Sequence, residues 1–271
     1  MSMIAAIRAE FQKVLTTRIW WVLLLVLVVY VALLAGFLGA AFGGIFGDDA
    51  NAPQVPAELL PPVVYSIATA IGYVFPLLLG TLAVTGEFRH QTLTPSFLAT
   101  PRRGRVLIAK VITLAVFGAL YGVVALIGSV GAGAGVLALN GTDSGLGEQD
   151  LWLLFARSVL AMALWAAVGV GVGALVPNQV AAIVIVLAFT QFLEPILRTV
   201  AAFVSWAADL GNYLPGAAGD ALVGASIYTS LGMATGEATQ LEWWHGGLVL
   251  LAYALVATVA GYFTSWHKDV T

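Results

Sequence analysis

The chain contains no cysteine among its 271 residues, which excludes disulfide bonds, thiolate metal sites and cysteine-based catalysis. It also has little charge: 9% of the residues are charged and 61% are apolar, against about 25% and about 45–50% in soluble domains. So few charges cannot cover the surface of a water-soluble protein of this size. The net charge of −3 argues against a nucleic-acid-binding protein. The composition therefore predicts a membrane protein.

Six apolar runs are long enough to cross a bilayer as helices, since a span needs roughly 20 mostly apolar residues. The runs are residues 19–42, 63–85, 106–139, 151–176, 180–203 and 246–266. They are continuously apolar rather than alternating, which favours helices over barrel strands. The third run exceeds one straight crossing, and its glycine-rich end at 128–135 is predicted to bend or fray. The sequence thus predicts an all-α polytopic membrane protein, with a single transmembrane domain over residues 1–271 and six transmembrane helices.

Lysine and arginine residues fall on one side of these spans. Nine of the 11 basic residues precede span one, connect spans two and three, or follow span six, and the connections on the other side contain acids only. Because cytoplasmic connections carry the excess of Lys and Arg, we expect a multi-pass plasma-membrane protein with both termini in the cytoplasm. The first run exceeds the 7–15-residue core of a signal peptide and is expected to be an uncleaved anchor, although small residues at 39–41 leave cleavage as an alternative.

Two segments outside the spans are expected to form helices of their own. Residues 1–18 carry apolar residues at the spacing of one helical face, which predicts a helix lying in the membrane interface; the alternative is the irregular start of span one. The residues of this face are Ile4, Ile7, Phe11, Val14 and Leu15. Residues 207–244 mix acids and glycines with apolar stretches too short to cross, which fits re-entrant or surface helices on the extracytoplasmic side.

The connection between spans two and three, residues 87–105, predicts a short helix. Thr94-Pro95 suits an N-cap followed by the first helical position, and Thr100-Pro101 ends the helix because the residue before proline avoids helical dihedrals. An exposed apolar ridge flanked by arginines would result, formed by Leu93, Phe97 and Leu98. Such a ridge is typical of a docking element for a soluble partner. The alternative is a ridge that lies on the membrane while the arginines contact lipid phosphate.

This connection resembles the cytoplasmic coupling loop of type-2 ABC transporter permeases. The matching residues are Gly86-Glu87-Phe88-Arg89, Thr92-Leu93, Phe97-Leu98-Ala99-Thr100-Pro101-Arg102-Arg103 and Lys110. The N-terminal run from Arg8 to Lys13 is similar to the elbow helix of actinobacterial-like members, as Tyr213-Leu214-Pro215 is to their segment beyond span five. Gln91 departs from the family pattern, because a small residue, often glycine, is usual there. Its presence puts the local turn geometry in doubt.

The resemblance implies a pair of permease subunits, as a homodimer or a heterodimer, docked onto a pair of nucleotide-binding ATPase subunits. ATP and Mg²⁺ are expected on those partners, because this chain lacks the Gly-x-x-x-x-Gly-Lys-Ser/Thr phosphate loop; no catalytic residue or resident cofactor is expected here. By position, Glu87 would brace the end of span two against the coupling and elbow helices. The residues implied in ATPase coupling are Glu87, Phe88, Arg89, Thr92, Leu93, Phe97, Leu98, Pro101, Arg102 and Arg103.

Three ionisable residues lie inside the spans: Arg157, Glu194 and Arg198. Ionisable residues in a membrane face protein or water and are functional candidates. Glu194 and Arg198 form an i, i+4 pair with Arg157 at comparable depth. Mutual neutralisation is therefore favoured over a role in gating, substrate binding or proton handling. The three histidines have no ligand spacing, so no metal site is expected.

Together with the predicted spans, the resemblance implies the membrane-spanning permease subunit of an ATP-binding-cassette exporter, which would form the substrate pathway and couple to separate ATPase subunits. One alternative is an ATP-independent secondary transporter or channel, which would be expected to place more polar residues at mid-membrane. A second alternative is a membrane scaffold protein, which would carry no flux.

Overall fold

The computed structural model describes residues 2–43, 56–99, 102–203, 209–225 and 241–266. Every regular element among them is a helix, and six helical stretches are long and apolar enough to cross a membrane. The helices are α1 (Met3–Thr16), α2 (Ile19–Phe42), α3 (Leu60–Ala70), α4 (Val74–Arg89), α5 (Leu93–Ala99), α6 (Arg103–Leu139), α7 (Gln149–Leu175), α8 (Gln179–Ala188), α9 (Glu194–Phe203), α10 (Pro215–Val223) and α11 (Trp243–Gly261). The all-α class and the six predicted spans are confirmed.

Two of the spans are composite. The second consists of α3 and α4, which are separated by a short turn at residues 71–73. In the fifth, α8 and α9 are joined by one π-helical turn at Phe189–Leu193. The last span continues from α11 into a π-helical turn at Tyr262–Trp266. Spans two and four are the most buried, whereas spans one, five and six lie at the periphery of the bundle.

The predicted fraying at the glycine-rich end of span three is wrong, because α6 is one unbroken helix of 37 residues. Each glycine costs a helix only about 0.5–1 kcal/mol relative to alanine, and a backbone in lipid must keep its internal hydrogen bonds. The glycines also allow close packing: a Cβ atom on Gly133 would lie 2.6 Å from Cγ1 of Val64 in α3. Helix packing therefore outweighs the low helix propensity of this stretch.

Close glycine contacts also hold α7 in the centre of the bundle. A Cβ atom on Gly118 of α6 would lie 2.5 Å from the carbonyl oxygen of Met162 in α7, and one on Gly173 of α7 would lie 2.7 Å from the carbonyl oxygen of Thr81 in α4. Small residues allow helix backbones to approach in this way. α4 and α6 therefore both pack directly on α7.

The N-terminal helix is separate from span one, because α1 ends at Thr16 and α2 begins at Ile19. The face that packs on the bundle contains Ala6, Glu10 and Val14, while Ile4 and Leu15 of the apolar face are exposed. The apolar spacing did not indicate that Glu10 would be buried, because its charged partners lie in other helices. The interfacial position of this helix stays a prediction.

Within the predicted surface segment 207–244, α10 packs inside the bundle against α11, α7 and α3. Most of its residues are buried, Asp220 among them. α10 therefore lies among the helices of the bundle rather than on its surface, and its depth in the membrane stays a prediction. The part of this segment at 226–240 lies outside the described residues.

Candidate functional site

Four charged side chains from three helices meet at the end of the bundle where α1, α5 and the start of α6 lie; this is the basic end. Nζ of Lys13 lies 2.6 Å from Oε1 of Glu10 and 2.8 Å from Oε1 of Glu87. Nζ of Lys110 contacts Oε2 of Glu10 and lies 3.2 Å from Oε1 of Glu87. These four residues form the basic-end cluster. It joins α1, α4 and α6 through two positive and two negative charges.

The basic-end cluster is largely removed from solvent. The Lys110 side chain is 2% exposed and that of Glu10 is 4% exposed, whereas Lys13 is partly accessible. Burial by itself raises the pKa of Glu10, but Lys110 and Lys13 outweigh it and place that pKa below its ordinary value. Burial by itself lowers the pKa of Lys13, but Glu87 and Glu10 outweigh it and raise the pKa. Both side chains therefore favour their charged forms.

The short helix α5 is connected to this cluster. Nζ of Lys13 lies 3.0 Å from Oγ of Ser96 in α5, so Lys13 contacts α5 and Glu87 at the same time. Glu87 thus lies between α1, α6 and the turn that leads to α5, with its second carboxylate oxygen unpartnered among the described residues. The coupling role that the resemblance implies for Glu87 stays a prediction.

The predicted start of the short helix is wrong by two residues, because α5 begins at Leu93 rather than at Pro95 after an N-cap at Thr94. Pro95 is therefore its third residue. Proline is tolerated there because the first-turn N–H groups have no intrahelical partner.

The predicted exposed ridge is also wrong in part. Leu93 is fully buried in the core, Phe97 is half-buried, and Leu98 is 79% exposed. Leu93 cannot seat in a groove on another protein in this arrangement. Leu98 is the apolar residue of α5 that is available to a partner.

Trp266, at the end of the last span, covers the inner side of α5. Its ring makes edge contacts with Phe88 at 5.8 Å and with Phe97 at 5.6 Å, and its Nε1 donates a hydrogen bond of 3.1 Å to the carbonyl oxygen of Arg103. The Arg103 guanidinium lies 5.0 Å from the centre of the Phe97 ring. Phe88, Phe97 and Arg103 thus form a packed contact with the last span rather than a free surface.

The turn between α4 and α5 ends α4 with a left-handed residue. Gln91 has φ of +55°, the amide of Thr92 donates to the carbonyl of Glu87, and the amide of Gln91 donates to that of Phe88. This is the Schellman pattern, in which glycine usually takes the left-handed position. The left-handed backbone at position 91 therefore explains why a small residue, often glycine, is usual there in the family that this loop resembles.

The remaining coupling candidates lie around this turn. Nη1 of Arg89 donates a 3.3 Å hydrogen bond to Oε1 of Gln179 at the start of α8. Thr92 and Arg102 are exposed on either side of α5. Pro101 lies outside the described residues.

The three intramembrane charges do not form the single group that the sequence suggested. Arg198 forms an ion pair of 2.5 Å with Asp220 of α10, which was expected to be an acid of the outer connection. The guanidinium of Arg157 lies 4.8 Å from the ring centre of Trp243 instead. Oε1 of Glu194 accepts the backbone N–H of Gly216 in the first turn of α10. Helix α10 therefore supplies partners for Arg198 and Glu194. The sequence analysis did not predict them because it considered only charges inside the spans.

Several residues of these sites were missed at the sequence level. They are Glu10, Ser96, Lys110 and Trp266 at the basic end and Asp220 at the opposite end. The i, i+3 spacing of Glu10 and Lys13 was a readable signal. Ser96, Lys110 and Trp266 form hydrogen bonds with residues that lie 83 to 163 positions away along the chain. No local sequence pattern indicates such contacts.

Comparison with known families gives one match. A family model described as "ABC-2 family transporter protein" matches residues 6–200. The matched region runs from α1 into α9 and includes the basic-end cluster, α5, Glu194 and Arg198. No match to the chain is found among curated proteins.

Proposed function

The chain belongs to the ABC-2 transporter family, and we propose that it is the permease subunit of an ABC exporter, working in a pair and driven by separate ATPase subunits. In this proposal the permease pair forms the substrate pathway, and the partner chains bind ATP and Mg²⁺. The single observation that carries the proposal is the family match, which extends from α1 into the fifth of the six spans.

We propose that α5 is the element that contacts the ATPase. Leu98 presents a large apolar side chain outward, and Thr92 and Arg102 are exposed on either side of it. An apolar side chain with a polar rim suits docking to a protein surface. Only Leu98 of the three ridge residues serves as the docking contact, because Leu93 and Phe97 pack into this chain.

Movement of α5 would reach the bundle by two routes. The Lys13–Ser96 hydrogen bond leads to the basic-end cluster and from there to α1, α4 and α6. The Phe97–Trp266 contact leads to the last span. Because packed elements transmit displacement through direct contact, a shift of α5 on ATP binding would tilt several spans together.

This proposal fixes the orientation of the chain. ATP is cytoplasmic, so the basic end, with α1 and both termini, would face the cytoplasm of a plasma-membrane protein. The excess of Lys and Arg at that end agrees with the positive-inside rule. α1 would then lie in the interface, with the exposed Ile4 and Leu15 toward lipid.

The test replaces Leu98 with aspartate. A buried charge at the proposed contact should weaken docking, so L98D should lose most ATPase co-purification and substrate-stimulated ATP hydrolysis. The matched control is L139D, because Leu139 is 83% exposed at the opposite end of the bundle. Both variants should remain folded, since neither side chain is packed.

Equal ATPase retention in L98D and L139D would contradict docking through α5. Flux without any ATPase would instead indicate a secondary transporter or channel, and absence of flux from the intact complex would indicate a scaffold.

A further inference from the structure

A polar cavity of about 270 Å³ lies between the first, second and fifth spans and α10, at the end of the bundle opposite to the basic end. The residues that matter for its chemistry are Tyr30, Tyr73, Gln191, Glu194, Arg198 and Asp220; we call it the Glu194 cavity. Its volume is close to the lower limit of about 300 Å³ for small-molecule pockets. It therefore suits a small ligand or one small group of a larger ligand.

Glu194 is the most deeply buried charged residue of this cavity, at 1% exposure. Its Oε1 atom accepts the backbone N–H of Gly216 and so stabilises the start of α10. Its Oε2 atom is also buried but has no hydrogen-bond partner among the described residues. A buried carboxylate oxygen without a donor is costly, and a ligand that donates a hydrogen bond there would remove that cost.

The charges that line the cavity select the sign of the ligand. Arg198 and Asp220 neutralise each other in their ion pair of 2.5 Å. In its ionised form, which a bound cation favours, Glu194 then leaves the set with one negative charge. Two aromatic rings, those of Tyr30 and Tyr73, belong to the same lining. The negative charge favours a cation, and the two tyrosines in the lining suit an organic one, because small-molecule pockets combine aromatic walls with a few polar groups.

We propose that the Glu194 cavity binds a protonated amine, whose ammonium group donates to Oε2 of Glu194. An ammonium is preferred to a metal ion because Glu194 offers one oxygen without a partner, whereas hard cations take six or more oxygen ligands. This inference rests on the proposed function in one respect: the amine is part of the transported substrate. Glu194 thus has two roles, with one oxygen at the start of α10 and the other toward the ligand.

The experiment measures binding of benzylammonium, with neutral benzyl alcohol as its matched analogue. The full chain is placed in nanodiscs of phosphatidylglycerol, so that no lipid carries an ammonium group, and no nucleotide is added. Saturable binding of benzylammonium should exceed that of benzyl alcohol by at least about tenfold, because a hydrogen bond to a charged group contributes about 1.5–3 kcal/mol. The E194Q variant should lose this preference, since glutamine keeps the acceptor for Gly216 but removes the charge.

Two further variants make the result specific. E148Q makes the same change at an exposed residue just before α7 and should bind benzylammonium like the parent. A70L retains Glu194 and adds bulk to the cavity wall, so it should weaken benzylammonium binding even if E194Q fails to fold. Equal binding of the amine and the alcohol, or unchanged amine binding in both E194Q and A70L, would overturn the proposal.

The binding measurement with benzylammonium does not require the ATPase. Equal ATPase retention in L98D and L139D, together with benzylammonium binding that depends on Glu194, would contradict the proposed function alone. Loss of ATPase coupling in L98D, together with equal binding of benzylammonium and benzyl alcohol, would contradict the amine site alone. Phosphatidylethanolamine, whose headgroup carries an ammonium group, is then added to the nanodiscs as a competitor of benzylammonium. Competition would assign the site to a lipid headgroup and so sever its link to the transported substrate, whereas absence of competition supports a soluble amine.

Discussion

At the scale of single residues, Lys110 has the strongest electrostatic role at the basic end. It is almost fully buried and contacts both Glu10 and Glu87. Such a charge is tolerated only because its partners compensate for lost hydration. Glu10 and Glu87 would both lose this compensation if Lys110 became neutral.

We predict that K110M lowers the free energy of unfolding by about 3–5 kcal/mol, the cost of leaving a buried charge without its partner. The measurement is unfolding in mixed micelles with increasing SDS. The double variant E10Q/K110M should recover part of the loss, because it removes one of the unpaired carboxylates. The K13M variant should lose less than K110M, since Lys13 is partly solvated. A K110M protein as stable as the parent would show that the cluster does not hold α1 to α6.

The basic-end cluster also predicts how the stability of the folded chain changes with pH. The pKa of Glu10 in the folded chain lies below its ordinary value of 4.5. Its contribution to stability is therefore complete above pH 4.5 and is lost as the pH falls through the lower folded value. The pKa of Lys13 is raised above 10.5, so its contribution is complete below pH 10.5 and is lost as the pH rises through the higher folded value.

We therefore expect the stability of the parent to exceed that of E10Q by a constant amount through the neutral range. This difference should shrink below pH 4.5, because Glu10 becomes protonated and E10Q has no group to titrate at that position. SDS unfolding at several pH values measures the difference. A difference that grows on acidification would have the wrong sign for a stabilised carboxylate.

At the scale of elements, contact between glycines and facing backbone sets the distance from α6 to α7. We predict that G118A lowers the free energy of unfolding by about 1–3 kcal/mol, the usual cost of overpacking, because its Cβ would lie 2.5 Å from a carbonyl oxygen. G131A lies in the same helix with open space at that position. It should be neutral or stabilising by about 0.5–1 kcal/mol. Equal effects of the two substitutions, again in SDS unfolding, would contradict this packing.

The elements that the sequence predicted best are those whose length the bilayer determines. All six spans follow from continuous apolar runs, because a helix must bridge the hydrocarbon core. The face on which α1 packs was not predictable from apolar spacing, since the buried Glu10 depends on Lys110, 100 residues away. Spacing within a helix indicates which residues share a face, and it does not report what covers that face.

The short helices show the same limit. The sequence indicated a helix at α5 and the residues of its ridge, but Trp266 covers part of that ridge from the far end of the chain. The i, i+4 spacing of Glu194 and Arg198 indicated proximity, whereas the ion pair of Arg198 is with Asp220, 22 residues further on. α10 is too short to appear as a span, so its buried acid was assigned to a surface connection.

At the scale of the whole molecule, the proposed docking element and the Glu194 cavity lie at opposite ends of the bundle. The basic end holds α5 against α1, α6 and the last span through charge and aromatic contacts. The opposite end contains the Glu194 cavity. α6 and α7 run along the bundle between them as long, closely packed helices.

The most direct measurement of ATPase coupling is photo-crosslinking in native membranes from a reactive amino acid at position 98, with position 139 as the matched control. Both positions are highly exposed, at opposite ends of α5–α6. We expect position 98 to capture a polypeptide that carries a P-loop ATP-binding motif, and position 139 not to capture it. Capture of phospholipid alone from position 98 would contradict the account, because α5 would then lie on the membrane rather than on an ATPase.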